Sequence, residues 1–334
     1  MISLKELAKM AGVDRSTVSR ALNDSPRVTP KTKTLINDLA ERHGYIPDDL
    51  ARGLLKKRTF TIGAIIPEFL NTFYAEIIEG FEGILSQSGY SVIFGKSGFN
   101  CKNEAKCIDL FLRKRVDGII ACAVSEESVG YVKNKKINIP VVLVDSFSIS
   151  DEFDSVSIDN AFGIYSAVEH FIHYGHKRLG FICDNTVTSQ RLEAFKQILR
   201  KLNIPVEDDY IRTGNERYER GGYLRMKELL SFPQRPSAVL AATDTMAIGA
   251  IHAIKESGYN VPDDVSIIGF DDITVSSYLE RPLTTVLQPK LEIGRIASNL
   301  LLNKINNKDV ASTQQIVIKP ELIIRNTVGM RKNN

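Results

Sequence analysis

Residues 4–23 read LKELAKMAGVDRSTVSRALN. Leu4, Leu7, Ala8 and Ala11 recur at helical spacing, Gly12 breaks the run, and Asp14 stands where it would cap a second helix carrying Val18 and Leu22. The stretch predicts a helix, a tight turn and a second helix. Beyond it, Thr29-Pro30 places a cap before a proline at the first helical position, and a third helix runs to His43-Gly44 with Leu35, Ile36, Leu39 and Ala40 on one face. Three short helices can share one core. Their apolar faces leave Arg15, Ser16 and Arg20 pointing outward near the start of the second helix, as a recognition helix presents side chains to base edges in the major groove.

Charge supports that reading. Residues 1–58 hold twelve Lys/Arg against seven Asp/Glu, and the rest of the 334-residue chain holds thirty-one against thirty-three. A small basic head precedes a near-neutral body too long for a single core. With 43% hydrophobic and 25% charged residues, the chain is neither disordered nor collagen-like. Apolar stretches such as 118–124 fall short of the ~18 residues of a bilayer span, and MISLKELAKM lacks a signal peptide's apolar core. A cytoplasmic, nucleoid-associated protein without membrane contact is expected. The four cysteines show no CxxC spacing and carry no functional signal.

After the third helix, GYIPDDLARGLLKKRTFTIG (44–63) reads as a short helical stretch opened by Pro47 and Asp48, closed by Lys56, Lys57 and Arg58, and leading into a strand. These residues carry a resemblance. LKELAKMAGVDRSTVSRALN closely resembles the amino-terminal signature of the lactose-repressor/galactose-repressor (LacI/GalR) family of bacterial transcription regulators. YIPDDLARGL (45–54) resembles that family's hinge, and the similarity continues in order along nearly the whole chain.

The resemblance implies that Arg15, Ser16 and Arg20 read bases, that Thr17 and Ser19 lie near phosphates, and that Leu54 wedges into the minor groove at the centre of a palindromic operator. Two departures stand out. Asp48 replaces a common asparagine and Asp49 adds a second carboxylate near DNA, while Leu55 follows the wedge where some relatives carry a basic residue.

From Thr59 onward, strands alternate with helices. TIGAIIP, a helix over 73–88, SVIFG, a helix over 103–114, DGIIACAV and VVLVD form one series. RLGFICD, a helix over 190–202, DDYIRT, helices over 222–230 and 245–257 flanking AVLAAT, and VSIIGFDD form a second; LTTVLQ, a last helix and IVIKPELIIR follow. Such alternation predicts two doubly wound parallel sheets with a ligand cleft at the strand ends. The resemblance implies a periplasmic-binding-protein-like body whose chain crosses between lobes near residues 160, 290 and 320. The domains expected are a helix-turn-helix head (1–46), a hinge (47–58) and an effector-binding and dimerisation body (59–334). Lobe 1 takes about 59–160 and 290–320, and lobe 2 about 161–289 and 321–330.

Polar residues at strand ends are the pocket candidates: Asp145, Arg191, Thr243, Asp271 and Gln288, each matching a family position that contacts effector. A guanidinium flanked by carboxylates can donate to and accept from adjacent hydroxyls, the chemistry a sugar requires. Phe73 and Tyr74 stand where the family supplies ring contacts, and Tyr218 lies in the expected loop GNERYERGGY. Asp244 reads as the cap of the helix over 245–257, and Asp272 as a strand terminator. Thr243 and Ala194 stand where asparagine and glycine are frequent.

GYSVIFGKS has five residues between its glycines where a phosphate loop needs four. His170, His173 and His176 lack a nearby partner set for a metal, and neither GxSxG nor HExxH is present. The expectation is a homodimeric, effector-controlled DNA-binding regulator, a repressor of a carbohydrate operon responding to a sugar, with no cofactor and no catalysis. Purine or nucleoside response, a partner protein, or a transport protein or enzyme on the same fold are the alternatives.

Overall fold

The computed structural model describes residues 2–45, 58–135, 137–146, 152–185, 189–307 and 312–331. Residues 1–59 form one unit and residues 60–334 another. Pro47, Asp48, Asp49, Leu54 and Leu55, with the wedge role expected of Leu54, lie outside the described residues.

The first unit consists of α1 (Leu4–Ala11), α2 (Arg15–Leu22) and α3 (Pro30–Arg42). Ser3 and Glu6 form a reciprocal capping box at the start of α1, with the Ser3 N–H donating to the Glu6 carboxylate over 2.7 Å. That hydrogen bond holds the exposed Glu6 carboxyl below its ordinary pKa. Thr29 caps α3 by accepting from Thr32 N, with Pro30 behind it. The cap expected from Asp14 is corrected: it occupies the position before α2, but its side chain makes no capping hydrogen bond. Gly12 at φ 64° and the Val13 N–H donating to Ala8 O set the turn instead. Leu7, Val18 and Ile36 are wholly buried at the centre, whereas Leu35 is 48% exposed and does not join the core face of α3.

In the second unit, one sheet contains β1 (Thr61–Ile66), β2 (Ser91–Lys96), β3 (Gly118–Cys122), β4 (Val141–Val144), β5 (Asp154–Ile158) and β11 (Gln315–Ile318). The other contains β6 (Leu179–Ile182), β7 (Ile211–Arg212), β8 (Ala238–Ala241), β9 (Ser266–Asp271), β10 (Thr285–Leu287) and β12 (Glu321–Ile323). Their orders, β11-β5-β4-β3-β1-β2 and β12-β10-β9-β8-β6-β7, repeat one plan. Neighbours are parallel except β10 and β12. The central strands β3, β4, β6, β8 and β9 are buried along their whole length, as parallel strands covered on both faces must be.

Helices α4 (Thr72–Gln87), α5 (Cys101–Lys114), α6 (Glu126–Asn134) and α11 (Lys290–Asn306) accompany the first sheet; α7 (Asn160–His173), α8 (Ser189–Lys201), α9 (Tyr218–Leu230) and α10 (Asp244–Glu256) accompany the second. The chain passes between sheets around residues 159, 289 and 320. α6 and β5 are short, polar elements absent from the sequence reading. One helix pair crosses closely in each lobe. A Cβ on Gly294 of α11 would sit 2.2 Å from Ile77 O, and one on Gly249 of α10 would sit 1.8 Å from Glu219 O. Glycine lets these backbones touch.

α9 begins four residues before its expected start, so Tyr218, with φ 56°, stands at its first position and not in the middle of a loop. Gly222 within it is a packing device: a Cβ there would sit 1.9 Å from Met246 O.

Candidate functional site

Both sheets present the carboxyl ends of their strands to a common cleft, the position at which open α/β sheets bind ligands. The turns there are tight. Asp145 follows β4 with φ 48°, and Asp271 ends β9 with φ 122°, conformations that few residues other than glycine adopt and that concentrate at functional sites. Between them lies a cavity of about 530 Å³ including its mouth. The first lobe contributes Asn71, Phe73, Tyr74, Asp145 and Ser146. The second contributes Asn160, Asp184, Gln190, Arg191, Arg217, Thr243 and Asp271.

Arg191, near the start of α8, is at the centre. Its Nε donates to Asn160 Oδ1 over 3.0 Å, its Nη1 to Ala242 O over 2.6 Å and to Asp271 Oδ1 over 3.4 Å, and its guanidinium lies 3.8 Å from the Phe270 ring centroid. Nη2 donates to no described residue. Burial pushes Asp271 up to about 7 and Asp145 up to about 6, and the Arg191 charge only partly offsets this in each case. Near neutral pH the Asp271 carboxyl is therefore poised between donor and acceptor while Asp145 is largely ionised and accepts, a combination that suits hydroxyl groups.

The other expected pocket residues divide. Phe73 and Tyr74 line the cavity but are only 4% and 3% exposed, packed edge to face with centroids 5.0 Å apart. At that burial neither presents an open ring face. Thr243 lies on the wall, but its hydroxyl caps α10 by accepting from Met246 N over 3.3 Å. Gln288 does not line the cavity: it stands one layer behind, its Nε2 donating to Asp271 Oδ1 over 2.6 Å. Asp244 is corrected from cap to buried acceptor, receiving hydrogen bonds from Ile273 N, Ser276 and Thr285. Lys290 donates to the backbone oxygens of Asp271 and Asp272 over 2.7 and 2.8 Å and pairs with Glu76 of α4, tying the end of β9 to the first lobe.

Sequence reading missed Asn71, Asn160, Asp184 and Arg217. Arg217 precedes α9 with no side-chain cap signal. It bridges the lobes: Nε donates to Asp184 Oδ2 over 3.0 Å, Nη1 lies 3.8 Å from Glu68 Oε2, and the guanidinium is 3.8 Å from the Phe99 ring centroid. The Tyr218 hydroxyl donates to the same Glu68 carboxylate. Burial raises the Glu68 pKa, with Arg217 opposing. Beyond Asp145, Ser146, Asn160 and Gln190 the cleft widens into an open groove of about 1,100 Å³ bounded by Ser157, Asp159, Glu193 and Gln197.

In the head, Arg15, Ser16 and Arg20 of α2 are exposed, Thr17 and Ser19 are partly buried, and Val18 and Ala21 face the core. His176 has both ring nitrogens engaged, by Ser237 Oγ and Gly329 O. No helix among the described residues is long and apolar enough to cross a membrane.

Residues 3–48 match the family model of bacterial regulatory proteins, lacI family, and residues 168–328 match the periplasmic binding protein-like domain. The chain is 36% identical to catabolite control protein A of Priestia megaterium over 93% of this chain and 95% of that protein. It is 34% identical to the HTH-type transcriptional repressor CytR of Escherichia coli (strain K12), over 97% and 95%. Its fold is similar to that of a lac repressor dimer bound to operator and the anti-inducer ONPF, with TM-score 0.87, 25% identity and coverage of 98% of this chain and 99% of that one.

Proposed function

We propose, from the premise that the chain belongs to the LacI family of bacterial regulatory proteins, that it is a dimeric repressor whose operator binding is controlled by a small sugar in the cleft. It acts as a transcription regulator and not as an enzyme, in the cytoplasm and on DNA. The observation that carries the effector reading is Arg191 held between Asn160 and Asp271, with Asp145 across the cavity. Such a set gives fixed donors and adaptable acceptors to adjacent hydroxyls. The burial of Phe73 and Tyr74 favours a sugar over a purine, which needs an open ring face for stacking.

On the DNA side, the exposed Arg15, Ser16 and Arg20 read bases, Thr17 and Ser19 approach phosphates, and Leu54 wedges the minor groove. Residues 1–46 act as head, 47–58 as hinge and 59–334 as effector body. One head offers few base contacts, so two heads on a palindrome supply specificity, as in the operator-bound lac repressor dimer. Effector favours one orientation of the lobes, and that orientation decides whether the hinge orders on DNA.

Operator selection from random duplexes, repeated with a panel of sugars and nucleosides, tests this. A palindromic consensus whose retention responds to a sugar is expected. A non-palindromic consensus would remove the dimer reading, and a response to nucleosides alone would remove the sugar.

A further inference from the structure

We infer that the cleft selects uncharged polyhydroxyl ligands and rejects their phosphorylated forms. This rests on the effector reading and narrows it to a chemical class. A phosphate needs at least one available cation or several convergent backbone N–H groups. The described cavity wall contains two cations, and the structure has committed both; at the helix ends there, Phe73 N already donates to Asn71 Oδ1 and Met246 N to Thr243 Oγ1.

Arg191 is buried, stacked on Phe270, and hydrogen-bonded to Asn160, Ala242 and Asp271, with Asp145 facing it. Its Nη2, which donates to no described residue, can meet a hydroxyl, but a dianion there would lie against two carboxyls. Arg217 is held from both lobes by Asp184, Glu68 and the Phe99 ring. Pulling it toward a phosphate would break its pairs with Asp184, itself 5% exposed, and with Glu68.

The approach has the same sign. The charged residues bounding the wider groove are Asp145, Asp159 and Glu193, and no described lysine or arginine lines it. An anion entering there meets repulsion before it reaches Arg191. Arg217 thus works as a clasp between lobes, and its pairing with Glu68 and Asp184 denies it to the ligand.

Matched pairs offered to the full-length protein test the inference: ribose with ribose 5-phosphate, glucose with glucose 6-phosphate, fructose with fructose 6-phosphate, and cytidine with its 5′-phosphate. Calorimetry should find the neutral member of a pair binding at least about tenfold tighter than its phosphate. A phosphorylated member binding equally or more tightly overturns the selectivity while leaving a small-molecule effector in place. Binding by no member overturns the effector reading and the selectivity together. Inorganic phosphate gives a second readout independent of effector identity. It should stabilise the Glu68→Gln/Asp184→Asn double variant more than the unaltered protein, and this difference should vanish when Arg217→Ala is added. Phosphate stabilisation of the unaltered protein that is lost in Arg217→Ala alone would show that the clasp is open to anions, and would sink the proposal.

Discussion

Nη1 of Arg191 lies 3.4 Å from Oδ1 of Asp271, with both side chains 8% exposed. At that burial the pair costs desolvation on both sides, and Gln288 and Asn160 supply the additional hydrogen bonds that make it tolerable. Beside this solvent-poor ion pair, Arg191 Nη2 donates to no described residue, which leaves it the donor a polar ligand would meet under the proposed function. It also makes the neighbouring carboxyl sensitive to both mutation and pH.

Arg191→Ala should abolish the response to effector while operator binding by the head is retained. Fluorescence anisotropy on operator DNA, with and without effector, measures both at once. Normal release or normal stimulation by effector in this variant would remove Arg191 from the recognition set.

Thermal stability should fall as pH rises from about 5 to about 8. Asp271 and Asp145 have folded pKa values of about 7 and about 6, above the 3.8 of an ordinary aspartate. The folded state therefore holds more protons than the unfolded state in the window between, so the slope of stability against pH is negative there. The contribution is most favourable below pH ~4 and is lost as pH passes through the folded values. Asp271→Asn should flatten the melting-temperature profile between pH 5 and 8, measured by calorimetry, while an unchanged slope would assign the titration elsewhere.

Arg20→Ala should cost about 1–3 kcal/mol on the operator and little on random DNA, because a base contact carries sequence information and a phosphate contact does not. Titrations on both duplexes at fixed salt separate the two. Equal weakening on both would make Arg20 a backbone contact.

Leu54→Ala should lower operator affinity and reduce the bend of the operator while leaving effector binding unchanged, since a side chain unstacking a base step pays for DNA bending. The bend can be followed by energy transfer between duplex ends. A preserved bend angle would show that Leu54 is not the wedge.

Gly249→Ala should destabilise the body by about 1–3 kcal/mol, since its Cβ would fall 1.8 Å from Glu219 O at the crossing of α9 and α10. Chemical denaturation of the variant reads this directly. A neutral result would mean that the helix pair can separate at no cost.

Much of the fold was legible because local signals agreed with one another. The helices of the head carry their caps and breaks within a few residues, and apolar strands alternating with helices declare a parallel sheet covered on both faces. Local signals misled where tertiary contacts override them. The helix expected over 222–230 begins at Tyr218, and Gly222 inside it lets Met246 O approach, a contact no local pattern announces. Asp244 read as a cap because it precedes a helix, yet its carboxylate accepts from Ile273, Ser276 and Thr285, all far away in sequence.

By itself the sequence determined a three-helix head with an outward-facing Arg15, Ser16 and Arg20, a two-sheet body, and pocket candidates including Asp145, Arg191 and Asp271. Periodicity and capping act over a few residues, so they can be read along the chain. Only the tertiary structure set Gln288 behind Asp271, committed the Thr243 hydroxyl to a cap, and brought Glu68 to Arg217 across the cleft. Those relations join residues as many as about 150 positions apart. They follow from how two sheets pack and where their strands end, and no local pattern encodes that distance.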